Sequence, residues 1–339
     1  MLTSTTIRSL AAAAGASALL LLSGCHSGGS SSSTGGTTGG GASSGEGRIA
    51  LAFVTNNPSD YWKICGKGVD AAAKELGNVD VQFVEPADGS ASTQKKDVDD
   101  LLTKGIKGIA ISPKDPANQT SYLNTVEAKT NLLTSDSDAP KSNRLCYIGT
   151  DNHAAGIMAG GLLKEALPQG GKVLLFVGAA DAQNAQDRIS GLEDAIKGTK
   201  IQVIGVRTDD ADHVRAKRNA ADAIVSTPDL AAEVGIWSYN GPAIYSAVKG
   251  AGKQGKIKIV AFDQEDDTMA GVKDGTIYGA VVQQPYQFGY QSIKMLAQLA
   301  KGDKSAIPAS KLIIVPTTAI KKDNIDAYLA SQTKLMGGS

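Results

Sequence analysis

Amides and carboxylates recur where apolar runs of this chain end: Asn56-Asn57-Pro58, Ser112-Pro113-Lys114-Asp115, Ser135-Asp136, Asn240-Gly241, Asp263 and Gln283-Gln284-Pro285. Planar carboxylates, amides and guanidinium forks can each hold a neighbouring pair of hydroxyls, and the charged members make the stronger bonds. Flat rings suit the apolar C–H patches of the same kind of guest, and Trp62 stands at the opening turn of a helix beside this set. Buried groups of this sort reject an analogue lacking one hydroxyl, because they are then left unpaired. The chemistry supported is selective binding. Asp, Asn and Pro also serve as plain turn residues. Asp263 could be a helix N-cap as well as a ligand contact, Asp151-Asn152 reads as an N-cap and hinge, and Trp237 reads as packing at a strand end.

Other chemistries lack their residues. His26, His153 and His213 are the only histidines, and there is no Cys-x-x-Cys, so no metal-ligand spacing is found. No Gly-x-Ser-x-Gly elbow is present, so no catalytic residue is assigned, and no cofactor is expected. Gly66-Lys67-Gly68 mimics part of a dinucleotide fingerprint but falls inside a helix. Gly250 with Gly255-Lys256 resembles a phosphate loop but has Ile257 for the required hydroxyl and leads from helix to strand. The 34 Lys and Arg cancel the 34 Asp and Glu, leaving no field to hold a polyanion, so nucleic acid is not an expected partner.

The elements that must position the strand-end residues alternate in period. Of the 339 residues, 42% are hydrophobic and only 5% aromatic, with 39 glycines, a mixture suited to an α/β protein. Candidate strands are Ile49–Val54, Val81–Val84, Gly108–Ile111, Leu132–Thr134 and Cys146–Ile148. A second set is Lys172–Val177, Gln202–Val206, Val234–Trp237, Lys258–Phe262 and Ile277–Val282, with helices starting near Asn184, Asp212, Asn240 and Asp266. Written twice, the pattern predicts two α/β lobes of parallel sheet, whose ligands sit beyond the carboxyl ends of the strands.

Ahead of the lobes, residues 1–24 read as an export signal. Arg8 precedes an uncharged run, Leu10 to Leu22, whose 13 residues are too few to span a bilayer that needs about 20. Leu22-Ser23-Gly24-Cys25 resembles a bacterial lipobox, which makes Cys25 the expected lipid attachment and the membrane a partner through that anchor only. Residues 25–47 form a tether, 19 of the 22 from His26 to Gly47 being Gly, Ser or Thr, with a reach of about 25 Å. Cys65 and Cys146 are expected as free thiols, since a helix and the fifth strand of such a sheet stand too far apart to bridge.

The order of several pieces resembles the periplasmic sugar-binding proteins of bacterial ABC importers, ribose-binding protein class. They are Asn56-Asn57-Pro58 with Tyr61-Trp62 and Gly68, Gly149-Thr150-Asp151-Asn152, Asn184 with Arg188-Ile189-Ser190-Gly191, Val260-Ala261-Phe262-Asp263, and Gln283-Gln284-Pro285. The resemblance implies two Rossmann-like lobes joined by a three-segment hinge near Thr150-Asp151, Gln283-Gln284 and Val315–Thr317. Lobe 1 is then 48–150 plus 284–315, and lobe 2 is 151–283 plus 316–339. It further implies a monomer in the cell envelope, facing the periplasm or the cell exterior, that hands a monosaccharide to an ABC permease. Implied site residues are Asn57, Tyr61, Trp62, Asp115, Asp136, Asn184, Arg188, Asn240, Asp263 and Gln283. Asp212 lies near a family aromatic. Ser137 and Gln186 stand where the family carries arginines, which favours a hexose such as glucose over ribose and leaves inositols, pentoses and autoinducer-type furanosyl compounds open. A sugar or autoinducer sensor acting on a membrane receptor is the alternative role. A repressor of the lac type shares the lobes but not the export signal.

Overall fold

The computed structural model describes residues 47–335; the expected signal peptide, Cys25 and nearly all of the tether lie outside the described residues. The chain begins with β1 (Ile49–Val54), α1 (Asp60–Leu76), β2 (Val79–Val84), α2 (Ala91–Thr103), β3 (Gly108–Ile111), α3 (Pro116–Glu127), β4 (Asn131–Ser135) and β5 (Cys146–Gly149). It crosses and continues through α4 (Asn152–Ala166), β6 (Gly171–Val177), α5 (Gln183–Ile196), β7 (Ile201–Thr208), α6 (His213–Ser226), β8 (Leu230–Gly235), α7 (Asn240–Gly250), β9 (Lys258–Phe262), α8 (Asp266–Asp274) and β10 (Gly279–Val282). The remainder is α9 (Pro285–Leu299), β11 (Leu312–Ile314), β12 (Thr318–Lys321) and α10 (Ile325–Leu335).

Two six-stranded sheets result, ordered β2-β1-β3-β4-β5-β11 and β7-β6-β8-β9-β10-β12. All pairings are parallel except that of β12 on β10. The chain passes between them three times, at Thr150-Asp151, Gln283-Gln284 and Val315–Thr317. Each lobe therefore has its strand ends facing a common cleft.

Alternation along the strands divides each core in two. In β1, Leu51 and Phe53 pack with Val69 of α1 and Phe288 and Leu296 of α9, while Ala52 and Val54 meet Val98 of α2 and Leu123 of α3. In β6, Val173 and Leu175 face α4 and α5, and Leu174 and Phe176 face α6 and α7. Such double burial is what helices on both faces of a parallel sheet require. Gly68 brings α1 against α9, since a Cβ there would lie 1.9 Å from Tyr286 O, and Gly191 does the same for α5 on α4, 2.1 Å from His153 O. The Gly66-Lys67-Gly68 stretch is thus helix packing. Cys65 and Cys146 are free and buried in the same core, where burial pushes both thiols up and disfavours the thiolate.

Three details differ from the expectation. β8 ends at Gly235, so Trp237 belongs to the loop before α7 rather than to the strand. β10 starts at Gly279, later than the apolar run. The short edge strands β11 and β12 and helix α10 lie beyond the second strand set. Among the described residues, no helix is long and apolar enough to cross a membrane.

Candidate functional site

The cleft encloses about 670 Å³ and is lined from both lobes. Its two deepest carboxylates occupy matching places, Asp136 following β4 and Asp263 following β9. Both have left-handed backbones, φ 63° and φ 65°, a conformation uncommon outside glycine and one that concentrates at functional positions. In each lobe the strand's neighbour holds the turn: Asp136 N donates to Ile148 O on β5 (3.3 Å) and Asp263 N to Val281 O on β10 (2.9 Å). Tyr147 adds a strut, its hydroxyl lying 3.0 Å from Asp136 O and 2.9 Å from Thr150 O.

The side chains are oriented by their neighbours. Asp136 accepts from the hydroxyls of Tyr61 and Ser112, both at 2.9 Å, and Ser112 Oγ accepts from Asn56 Nδ2 at 3.1 Å. Asp263 accepts from Gln283 Nε2 at 3.1 Å and from Gln283 N at 3.3 Å. That contact ties the second-lobe carboxylate to a crossing segment. Burial pushes both carboxyls above the ordinary range, and Arg188 works against the rise without cancelling it.

Arg188 is 2% exposed. Its Nε donates to Asn152 Oδ1 and its Nη1 to Ile236 O, each at 2.9 Å, and the guanidinium lies 4.5 Å over the Phe262 ring. Nη2 has no partner among the described residues, which leaves one edge of the fork for a guest. Asn184 is one helical turn earlier on α5 and also lines the cleft, its Oδ1 buried and unpartnered. Gln186 lies between them in sequence, hence on the other face. It is exposed and reaches back to Asp181 O at 3.3 Å. Gln186 therefore takes no part in the cleft, where Arg188 supplies a guanidinium. Ser137 does line it, 4% exposed beside Asp136.

Aromatic groups close the sides. Tyr61 and Trp62 meet edge to face, centroids 5.0 Å apart, and Trp62 Nε1 donates to Asn57 Oδ1 at 2.9 Å. Trp62 is 1% exposed, so it serves the core and the cleft together. Trp237 lines the opposite wall with a buried, unpartnered Nε1, contrary to the packing role expected of it. Gly178 makes room, since a Cβ there would come within 2.2 Å of the indole. His213 stacks on Tyr239 at 4.6 Å beside the N-cap Asp212, so the ring near that cap comes from the next residue.

Eight of the ten residues expected at the site border the cleft: Asn57, Tyr61, Trp62, Asp136, Asn184, Arg188, Asp263 and Gln283. The other two do not. Asp115 caps α3, accepting from Asn118 N at 3.2 Å. Asn240 is fully buried behind the wall, where Nδ2 donates to Asp209 at 3.0 Å and Oδ1 accepts from Trp237 N at 3.1 Å. It braces the loop that carries Trp237. Of the residues that sequence reasoning missed, Trp237, His213 and Tyr239 follow a strand or open a helix, the signal used elsewhere.

Residues 49–304 match the family described as "Periplasmic binding protein domain". The chain is 28% identical over 281 residues to the ribose import binding protein RbsB of Haemophilus influenzae, covering 80% of this chain and 92% of that one. An ABC transporter solute-binding protein from Burkholderia graminis, solved with D-arabinose, is similar at TM-score 0.79 and 31% identity, over 83% of this chain and 98% of the other. GanP, a glucose-galactose binding protein of Geobacillus stearothermophilus, is similar at TM-score 0.77 and 29% identity, over 82% and 98%. With the same two lobes and a cleft of paired acids and aromatics, the chain belongs to the periplasmic binding protein family, among the ribose-type sugar-binding proteins of ABC importers.

Proposed function

We propose that this chain captures a monosaccharide between Asp136 and Asp263 and delivers it to an ABC permease. The supporting observation is the convergence of two buried carboxylates, one Arg188 fork and the Tyr61, Trp62 and Trp237 rings on one cleft. Carboxylates and fork hold adjacent hydroxyls and the rings cover C–H faces, so the guest is oriented and no bond is made or broken. Closure occurs by bending at the three crossings, and Gln283 reports the occupancy of Asp263 to one of them. The protein acts as a monomer, anchored through lipid on Cys25.

The favoured guest is a hexose such as glucose rather than ribose. Support for this preference narrows to Ser137, whose small side chain leaves room beside Asp136. A thermal-shift panel of D-ribose, D-arabinose, D-allose, D-glucose and D-galactose tests both statements. Saturation at a hundredfold over Kd stabilises by about 2.7 kcal/mol, so a bound hexose should raise Tm by about 5–10 °C. Silence across the panel would contradict sugar capture, and a larger rise with ribose would contradict the hexose preference.

A further inference from the structure

The charge of the cleft departs from that of the chain. Basic and acidic residues are equal in number overall, yet the lining carries Asp60, Asp88, Asp136, Asp210, Asp263 and Glu265 against Lys114 and Arg188. Two rim carboxylates are already answered, Asp60 by Lys63 at 2.6 Å and Asp210 by Arg215. The inner ones are not. Asp136 and Asp263, 5% and 3% exposed, form no ion pair among the described residues, and half-buried Glu265 also lines the cleft, near Asp263. Arg188 is near enough to lower the rise of both carboxyls, but its Nε and Nη1 are engaged by Asn152 and the Ile236 carbonyl.

The unpaired buried groups of the cleft point the same way. Buried atoms of the cleft without a partner are the acceptors Asn184 Oδ1 and Gln283 Oε1, with Trp237 Nε1 as the donor. Gln283 itself is 3% exposed and has already given its amide nitrogen to Asp263. A guest that brings only hydroxyls can satisfy acceptors but leaves Arg188 as the one cation set against the two inner carboxylates, and a low-dielectric cleft whose lining is mostly acidic focuses its field on whatever enters.

We infer that the cleft selects a sugar bearing a protonated amine, an amino sugar, over the neutral sugar of the same skeleton. The ammonium supplies three donors and a second positive charge to Asp136 and Asp263, with Glu265 adding to the field near Asp263, while Arg188 and the rings hold the remaining hydroxyls and the C–H face. The inference rests on the sugar-capture reading above and narrows its substrate class.

Calorimetric titration of matched sets tests it: D-glucose, D-glucosamine and N-acetyl-D-glucosamine, with the galactose and mannose sets alongside. The N-acetylated member keeps the nitrogen and loses the charge. In at least one set the amine should bind about tenfold or more tighter than its parent, with the N-acetylated member no tighter than the parent. Glu265→Gln should shrink the ratio by several-fold while changing the parent sugar's own affinity less, and Ser137→Arg, which places a cation beside Asp136, should reverse it. A neutral sugar binding as tightly as its amine in every set overturns the inference and leaves sugar capture standing. Absence of binding by every member of every set overturns both.

Discussion

Asn240 shows how a residue of the right type at a strand end can serve the site from behind. It was expected to touch the guest, yet both ends of its amide are taken by Asp209 and Trp237 N. Removing it leaves the Asp209 carboxylate, fully buried and already pushed up by burial, short of a donor. Asn240→Ala should therefore destabilise the fold by about 1–3 kcal/mol, the loss expected when a buried polar group loses its partner. Denaturant melts check this, and an unchanged midpoint with lost affinity would return Asn240 to the cleft. The contrast with Asn184, Gln186 and Arg188 explains what was legible. Strand ends locate candidate residues, but which helical face a side chain occupies depends on where the helix begins. A phase of two residues separates the buried fork of Arg188 from the exposed Gln186. Trp237 departs from the packing role its position suggests for a related reason, since its strand stops at Gly235 and the indole turns into the cleft.

At the scale of elements, most strands could be read because both faces of each sheet are covered, which writes short aliphatic runs between longer amphipathic ones. The exceptions are short or marginal. β11 has three residues with two of them exposed, and β12 has four, so neither carries enough apolar pattern to register. One element breaks its own pattern: Glu233 in β8 is fully buried between Leu174 of β6 and Ile259 of β9, and neither carboxylate oxygen has a partner. Burial pushes its carboxyl from 4.5 up to about 8, against the opposing pull of Arg207. The folded form then keeps a proton that the unfolded chain loses near 4.5, so stability falls as pH rises from there to about 8 and levels off above. The slope contributed is up to about 1.4 kcal/mol per pH unit. Glu233→Gln should flatten that part of the profile in unfolding titrations across the window. A variant with the parent's slope would show that the carboxyl is not held neutral.

For the whole molecule, function depends on the relation of two sheets that share three crossings. Each lobe pairs the helix that follows a crossing with the one after its first strand, α9 with α1 and α4 with α5, through glycines that admit no side chain. The cleft walls are thereby fixed to the crossing segments. Cys25→Ala should abolish incorporation of labelled palmitate and release the protein from membranes; retention with label would refute anchoring at that residue. The sugar cleft itself is tested most directly by calorimetry of pentoses, hexoses and their amino counterparts on the parent and on Asp263→Ala. The parent should bind at least one of them one to one, and the variant should lose about 1–3 kcal/mol of that affinity. No heat with any sugar, or equal affinity in the variant, would contradict it.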